Sequence, residues 1–221
     1  MLQPVKYNPP EHNKLEILYI DDDLIALNKP SGLLSVPGRG EDKQDCLLSR
    51  LQLEYPQALV IHRLDMPTSG IILFALNKEM QKGMSKLFEQ KKINKEYIAK
   101  VHGIPMQSHG IIDQPLITDW INRPKQKIDY KNGKPSQTKY RLISFDSDNN
   151  SLILLQPVTG RSHQLRVHMS SLGHAILGDD LYGTVQTRNA SKRLLLHAQN
   201  ISFIHPLTGH SININCKVNF S

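Results

Sequence analysis

The longest apolar run in the chain is Ile-Ile-Leu-Phe-Ala-Leu, at residues 71–76. It is far too short for a bilayer span, which needs about 20 residues. A short, unbroken apolar run behind turn formers reads as a strand buried on both faces. Such a strand demands cover on either side of its sheet, and the rest of the chain is patterned to supply it. Residues 16–20 and 24–28 read as a hairpin across Asp21-Asp22-Asp23, ended by Lys29-Pro30-Ser31-Gly32. Residues 137–144 and 151–158 pair across a loop of turn formers at 146–150, and 193–204 and 212–218 read as closing strands. Between 96 and 102, Tyr97, Ala99 and Val101 alternate with Glu96, Lys100 and His102, which is strand periodicity.

Helical periodicity enters only singly. Asp45 is set to cap a helix whose face carries Leu47, Leu48, Leu51 and Tyr55. Residues 79–91 carry an inner stripe of Met80, Met84, Leu87 and Phe88. Residues 163–172 place Leu165, Met169 and Leu172 on one side and stop at Gly173. Isolated helices among hairpins, without strand–helix–strand alternation, predict an α+β fold: a mixed, mostly antiparallel sheet flanked by helices and loops. Residues 1–14, with Pro4, Pro9 and Pro10, predict an extended arm, and 15–221 a single domain.

Several classes are excluded on chemistry. Cys46 and Cys216 are the only cysteines and lack CxxC spacing, so neither a disulfide framework nor a structural zinc site is expected. His163 and His168 are five apart, which puts them on different sides of a helix or strand. With no HExxH pattern, no metal is expected. There is no GxSxG elbow and no phosphate-binding glycine loop. The polar, proline-broken start carries no secretory pattern, which predicts a cytoplasmic chain.

The formal charge is +7, which makes a polyanion the first partner to consider. Between residues 121 and 141 stand Arg123, Lys125, Lys127, Lys131, Lys134, Lys139 and Arg141 against the single acid Asp129. Pro124, Asn132-Gly133 and Pro135 predict a long protruding basic loop or hairpin there, set apart from the chemistry-bearing segments.

Two segments carry candidate chemistry. In His62-Arg63-Leu64-Asp65-Met66-Pro67-Thr68-Ser69-Gly70, a carboxylate sits in a short loop before the buried strand. The same residues also read as an Asx-type turn launching that strand. In Gly160-Arg161-Ser162-His163-Gln164-Leu165-Arg166-Val167-His168 there are two arginines and two histidines and no acid. That is an anion-attracting helix start, or simply a basic exposed one.

Together these segments resemble the RluA family of pseudouridine synthases. The resemblance extends through Asn28-Lys29-Pro30-Ser31-Gly32, Lys95-Glu96-Tyr97, Leu177-Gly178-Asp179 and Arg193-Leu194-Leu195-Leu196-His197-Ala198, in family order. Tyr7-Asn8-Pro9-Pro10, residues 33–39, 55–58 and 122–127 are similar to the family's small members acting on both tRNA and large-subunit rRNA. The resemblance implies a pseudouridine synthase fold without the S4 domain that many relatives carry. It implies an isomerase that needs no cofactor and works as a monomer on stem-loops of tRNA and 23S rRNA, at uridine 32 of the tRNA anticodon loop and uridine 746 of 23S rRNA. Asp65 becomes the catalytic carboxylate, Arg166 its ion-pair partner, and Tyr97 the tyrosine against the target base. Leu196 and Ile71 become apolar pocket walls, and Arg63 fills the space left by the flipped nucleotide. His62, Arg161, Arg123, Lys125 and Lys127 become contacts to phosphates or flanking bases. A non-catalytic RNA-binding module, a synthase of the same fold with a different rRNA or tRNA uridine target, and a sugar hydrolase are the competing readings; the last requires another acid near Asp65.

Overall fold

The computed structural model describes residues 7–12, 14–218 and 220. The part of the expected arm at 1–6 and 13, Pro4 included, lies outside them. The described part of the arm is tied down: the Tyr7 hydroxyl donates to the Asp45 carbonyl, and the Arg50 guanidinium donates to the carbonyls of Pro10 and Glu11.

The chain opens with β1 (Ile17–Ile20) and β2 (Leu24–Lys29). Next come α1 (Leu47–Gln52), the short β3 (Leu59–Val60), β4 (Ser69–Ala75) and α2 (Lys78–Glu89). Then follow β5 (Asn94–His102), β6 (His109–Asp113), β7 (Leu116–Thr118), β8 (Gln126–Ile128), β9 (Gln137–Phe145) and β10 (Asn150–Pro157). The last elements are α3 (Gln164–Ser171), α4 (Val185–Asn189), β11 (Leu196–Ile204) and β12 (Ser211–Asn215). Ten strands form one sheet, ordered β1-β2-β4-β11-β5-β10-β9-β6, with β3 also on β4 and β12 also on β11; β7 and β8 form a separate ribbon. Every pairing is antiparallel except β4 with β11. The α+β expectation with a mostly antiparallel sheet therefore holds.

The apolar run behaves as its composition demands, because β4 is buried at every position. Ile72 and Phe74 join Ile25, Leu27, Leu47 and Leu51 on one face. Ile71, Leu73 and Ala75 join Leu24, Ala26, Met80, Met84 and Phe203 on the other. A third cluster, built on Ala99, Val101, Ile153, Leu165 and Leu196, lies under α3. At the parallel seam Gly70 has φ +107 and faces Ala198; a Cβ there would stand 2.3 Å from the Ala198 carbonyl oxygen. Only glycine meets both conditions, so Gly70 lets β4 and β11 touch.

Several local expectations are corrected. Cys46, not Asp45, caps α1: its sulfur accepts from the Ser49 amide, while Asp45 pairs with Arg50 at 2.7 Å. The last long strand starts at Leu196 rather than Arg193, and Leu172 ends α3 half-exposed instead of packing beneath it. The basic window is not one loop. Arg123, Lys125 and Lys127 sit at or beside the β7–β8 tip. Lys131 and Lys134 belong to a second turn, tied by Asp129 to the amides of Lys131 and Asn132. Lys139 and Arg141 lie on β9, whose alternation turns them out while Thr138 and Tyr140 turn in. No helix among the described residues is long and apolar enough to cross a membrane.

Candidate active site

Asp65 lies in the loop between β3 and β4, which is clamped from below. Ser35 Oγ donates to the Leu64 carbonyl and accepts from the Leu64 amide, and Ser31 Oγ donates to the Pro67 carbonyl. The fully buried Lys29 ammonium donates to the carbonyls of Pro30, Leu33 and Met66 at 2.8, 2.7 and 3.0 Å. The turn itself closes through the main chain, Thr68 N–H to the Asp65 carbonyl at 3.0 Å. The Asp65 carboxylate is thus not consumed by an Asx turn. Among the described residues it accepts no hydrogen bond, and its ion contact is Arg166 Nη1 at 3.9 Å.

Arg166, on α3, is only 2 % exposed and is held mainly by other acids. Its Nε and Nη2 grip Asp179 at 2.8 and 2.7 Å, and Nη2 also reaches Asp180 at 2.9 Å. Burial opposes its charge, but Asp179, with Asp65 and Asp180, more than offsets this and holds the guanidinium firmly cationic. Asp65 is therefore the third partner of a shared cation, and Asp179 is the residue that aims it.

These groups line a pocket of about 110 Å³ with Tyr97, Leu196, Lys95 and Thr68, opening into a cleft of about 850 Å³. Asp65 is the one carboxylate among the described residues lining either space, and Arg63, Lys95, Arg161 and Arg123 stand around it. Burial, reinforced by Asp65, pushes the Tyr97 phenol well up, so it stays protonated at neutral pH. Burial lowers Lys29 to about 7, against the pull of Asp65.

The expected site residues fall into three groups. Asp65, Tyr97, Arg166, Leu196, Arg63 and Arg161 converge on the pocket. Arg123 reaches the wall of the wider cleft, with Lys125 and Lys127 beside it, so the basic tip is joined to the carboxylate rather than set apart from it. One expectation fails. Ile71 shares the β4 face of Leu73 and Ala75 and packs toward α2, the strand alternation carrying it away from the pocket. His62 lines the wider cleft; its Nε2 accepts the Leu73 amide at 3.0 Å, its ring packs on Phe88, and burial lowers its pKa to about 3, so it stands there as a neutral ring.

Sequence reasoning missed Lys29, Asp179 and Tyr182 as site residues. The first two lie inside the quoted family blocks, which was the available signal. Tyr182 had none. Its hydroxyl accepts the Gln126 amide at 2.7 Å and bonds His163 Nδ1 at 2.7 Å, and its ring faces the Arg166 guanidinium at 5.3 Å. His163 itself holds a left-handed φ of 54°, a strained conformation for a non-glycine residue. Outside the cleft, Asp21, Asp23 and His205 group their polar atoms within 4.8 Å. However, His205 Nδ1 accepts the amides of Leu207 and Thr208, which puts the ring proton on Nε2, and Asp21 is already bonded by Tyr19 and two amides. Those donors are committed to the fold rather than to an ion.

A carboxylate held over a buried arginine, beside a tyrosine, thus faces a basic cleft on this mixed sheet. Residues 23–171 match the model of the RNA pseudouridylate synthase family, and the chain belongs to that family. Within it, the chain is 49% identical over 214 residues to the dual-specificity RNA pseudouridine synthase RluA of Escherichia coli, covering 97% of this chain and 98% of that one. It is 47% identical to the RluA of Yersinia pestis, covering 92% and 99%. Human RNA pseudouridylate synthase domain containing 1 superposes with a TM-score of 0.80 at 29% identity, covering 97% and 87% of the two chains.

Proposed function

We propose that this chain converts uridine to pseudouridine in stem-loops of tRNA and of 23S rRNA, with Asp65 as the reacting carboxylate. The reaction breaks the N1–C1′ bond, turns the uracil and rejoins it through C5. N1 gains a proton, and the C5 proton leaves to solvent. A paired or stacked uridine cannot reach the pocket, so the nucleotide flips out and the exposed Arg63 fills the vacated place. Tyr97 packs on the base as a neutral phenol, and Leu196 closes the apolar side. Arg166, oriented by Asp179, keeps Asp65 ionised and aimed. Arg161, Arg123, Lys125 and Lys127 take the flanking phosphates.

The observation that carries this reading is that the Asp65 carboxylate accepts no hydrogen bond among the described residues. A structural aspartate in a turn spends its oxygens on amides, whereas this one faces a basic cleft with only the arginine beside it. A hydrolase would need a second acid in the cleft, and Asp179 and Asp180 are held by Arg166. Action as a monomer, in the cytoplasm where both RNAs reside, belongs to the same proposal.

Tritium release from C5-labelled RNA tests the assignment. Asp65→Asn is expected to lose release by at least a thousandfold, about 4 kcal/mol in the barrier, while binding RNA within about threefold of the parent. Release at the parental rate refutes it.

A further inference from the structure

The tip of the β7–β8 ribbon carries an exposed apolar surface that the chemistry above does not use. Trp120 is 68% exposed and Ile121 94%. The tip is nevertheless ordered: Asp119 N–H donates to the Lys125 carbonyl, Lys125 N–H to the Asn122 carbonyl, and Asn122 Nδ2 to the Asp119 carboxylate. The Arg123 guanidinium lies 3.4 Å above the indole, covering one face and leaving most of the ring open. Arg123 and its neighbours Pro124 and Gln126 line the cleft that leads to Asp65. Lys125 and Lys127 supply positive charge on the same ribbon.

We propose that the Trp120 indole, backed by Arg123, stacks a second unpaired nucleobase of the RNA whose target uridine occupies the Asp65 pocket. This rests on RNA being the substrate, as argued above. Three observations point to a base rather than to a protein or a lipid. The apolar element is a planar ring braced by a planar cation, which suits the π-face of any base. Beside Ile121, the ribbon presents Arg123, Lys125 and Lys127, which suits a chain of phosphates. It is continuous with the cleft, so loop nucleotides next to the flipped uridine pass it unstacked.

Trp120 is the sole tryptophan of the chain, so its emission reports on this spot alone. Two RNAs are titrated into the intact protein: a tRNA anticodon stem-loop, and a blunt duplex of the same stem with no loop. The stem-loop is expected to quench the indole and the duplex to leave it unchanged. Trp120→Ala is expected to weaken stem-loop binding by about ten- to hundredfold, the span of one base–aromatic stack, with duplex binding changed by less than about threefold. Trp120→Phe is expected to restore most of the loss. Equal weakening on both RNAs, no weakening, or equal quenching by both overturns the stack. Tritium release by the unsubstituted protein is read in parallel. Its absence refutes the isomerase reading, whereas release alongside a silent indole refutes the stack alone.

Discussion

Lys29 shows how one side chain makes a loop rigid. Its three N–H donors match three carbonyls, and one of these, that of Met66, belongs to the loop bearing Asp65. Replacing it with Met leaves those carbonyls unsatisfied under cover, each worth about 1–3 kcal/mol. Burial also ties this residue to pH. Its pKa in the folded protein is about 7, against 10.5 in the unfolded chain. Between those values the unfolded chain binds more protons, so the stability contributed by Lys29 rises with pH across that window. Urea melts of the parent and of Lys29→Met are expected to differ by on the order of 2 kcal/mol more at pH 9 than at pH 6.5. A constant difference refutes the linkage.

Among the elements, the β7–β8 ribbon and α3 matter most to one another. They meet at Tyr182, whose hydroxyl joins the Gln126 amide to His163 at the start of the helix that carries Arg166. Removing the hydroxyl in Tyr182→Phe orphans the Gln126 amide. Its hydrogen exchange is expected to accelerate, and stem-loop affinity to fall about fivefold, near 1 kcal/mol. Unchanged exchange at Gln126 would show that the ribbon is held elsewhere. This coupling was invisible in the sequence, because Gln126 and Tyr182 are brought together only by the tertiary fold. What was legible was local or carried by motifs: the burial of β4, the isolated helices, and the segments around Asp65 and Arg166. What failed was phase and partnership. Ile71 lies in an apolar run on both phases, so composition could not say which face it takes. The basic window held two turns and a strand start, and turn residues alone could not separate them. Arg166 does pair with Asp65, at 3.9 Å, but its closer bonds to Asp179 went unread.

Over the whole molecule, the excess positive charge has a direction. The cleft holds one carboxylate against four cations, and the ribbon adds Lys125 and Lys127 at its edge. RNA binding is expected to weaken linearly with the logarithm of salt. Reversing both lysines to Glu should make that slope shallower by about 1.5, the contribution of two phosphate contacts. An unchanged slope in filter-binding titrations from low to moderate salt would show that the RNA passes the ribbon without touching it.

The seam at Gly70 also sets a timetable. Asp65 and the residues that clamp its loop lie in the first third of the chain, whereas Arg166, Asp179 and Leu196 are made last. At about 5–20 residues per second, the ribosome produces the carboxylate several seconds before the strand that closes the pocket. The half-made chain holds the Asp65 carboxylate without Arg166 beside it and without the Leu196 wall. On the proposed assignment, the pocket around Asp65 is therefore complete only once these last segments are made.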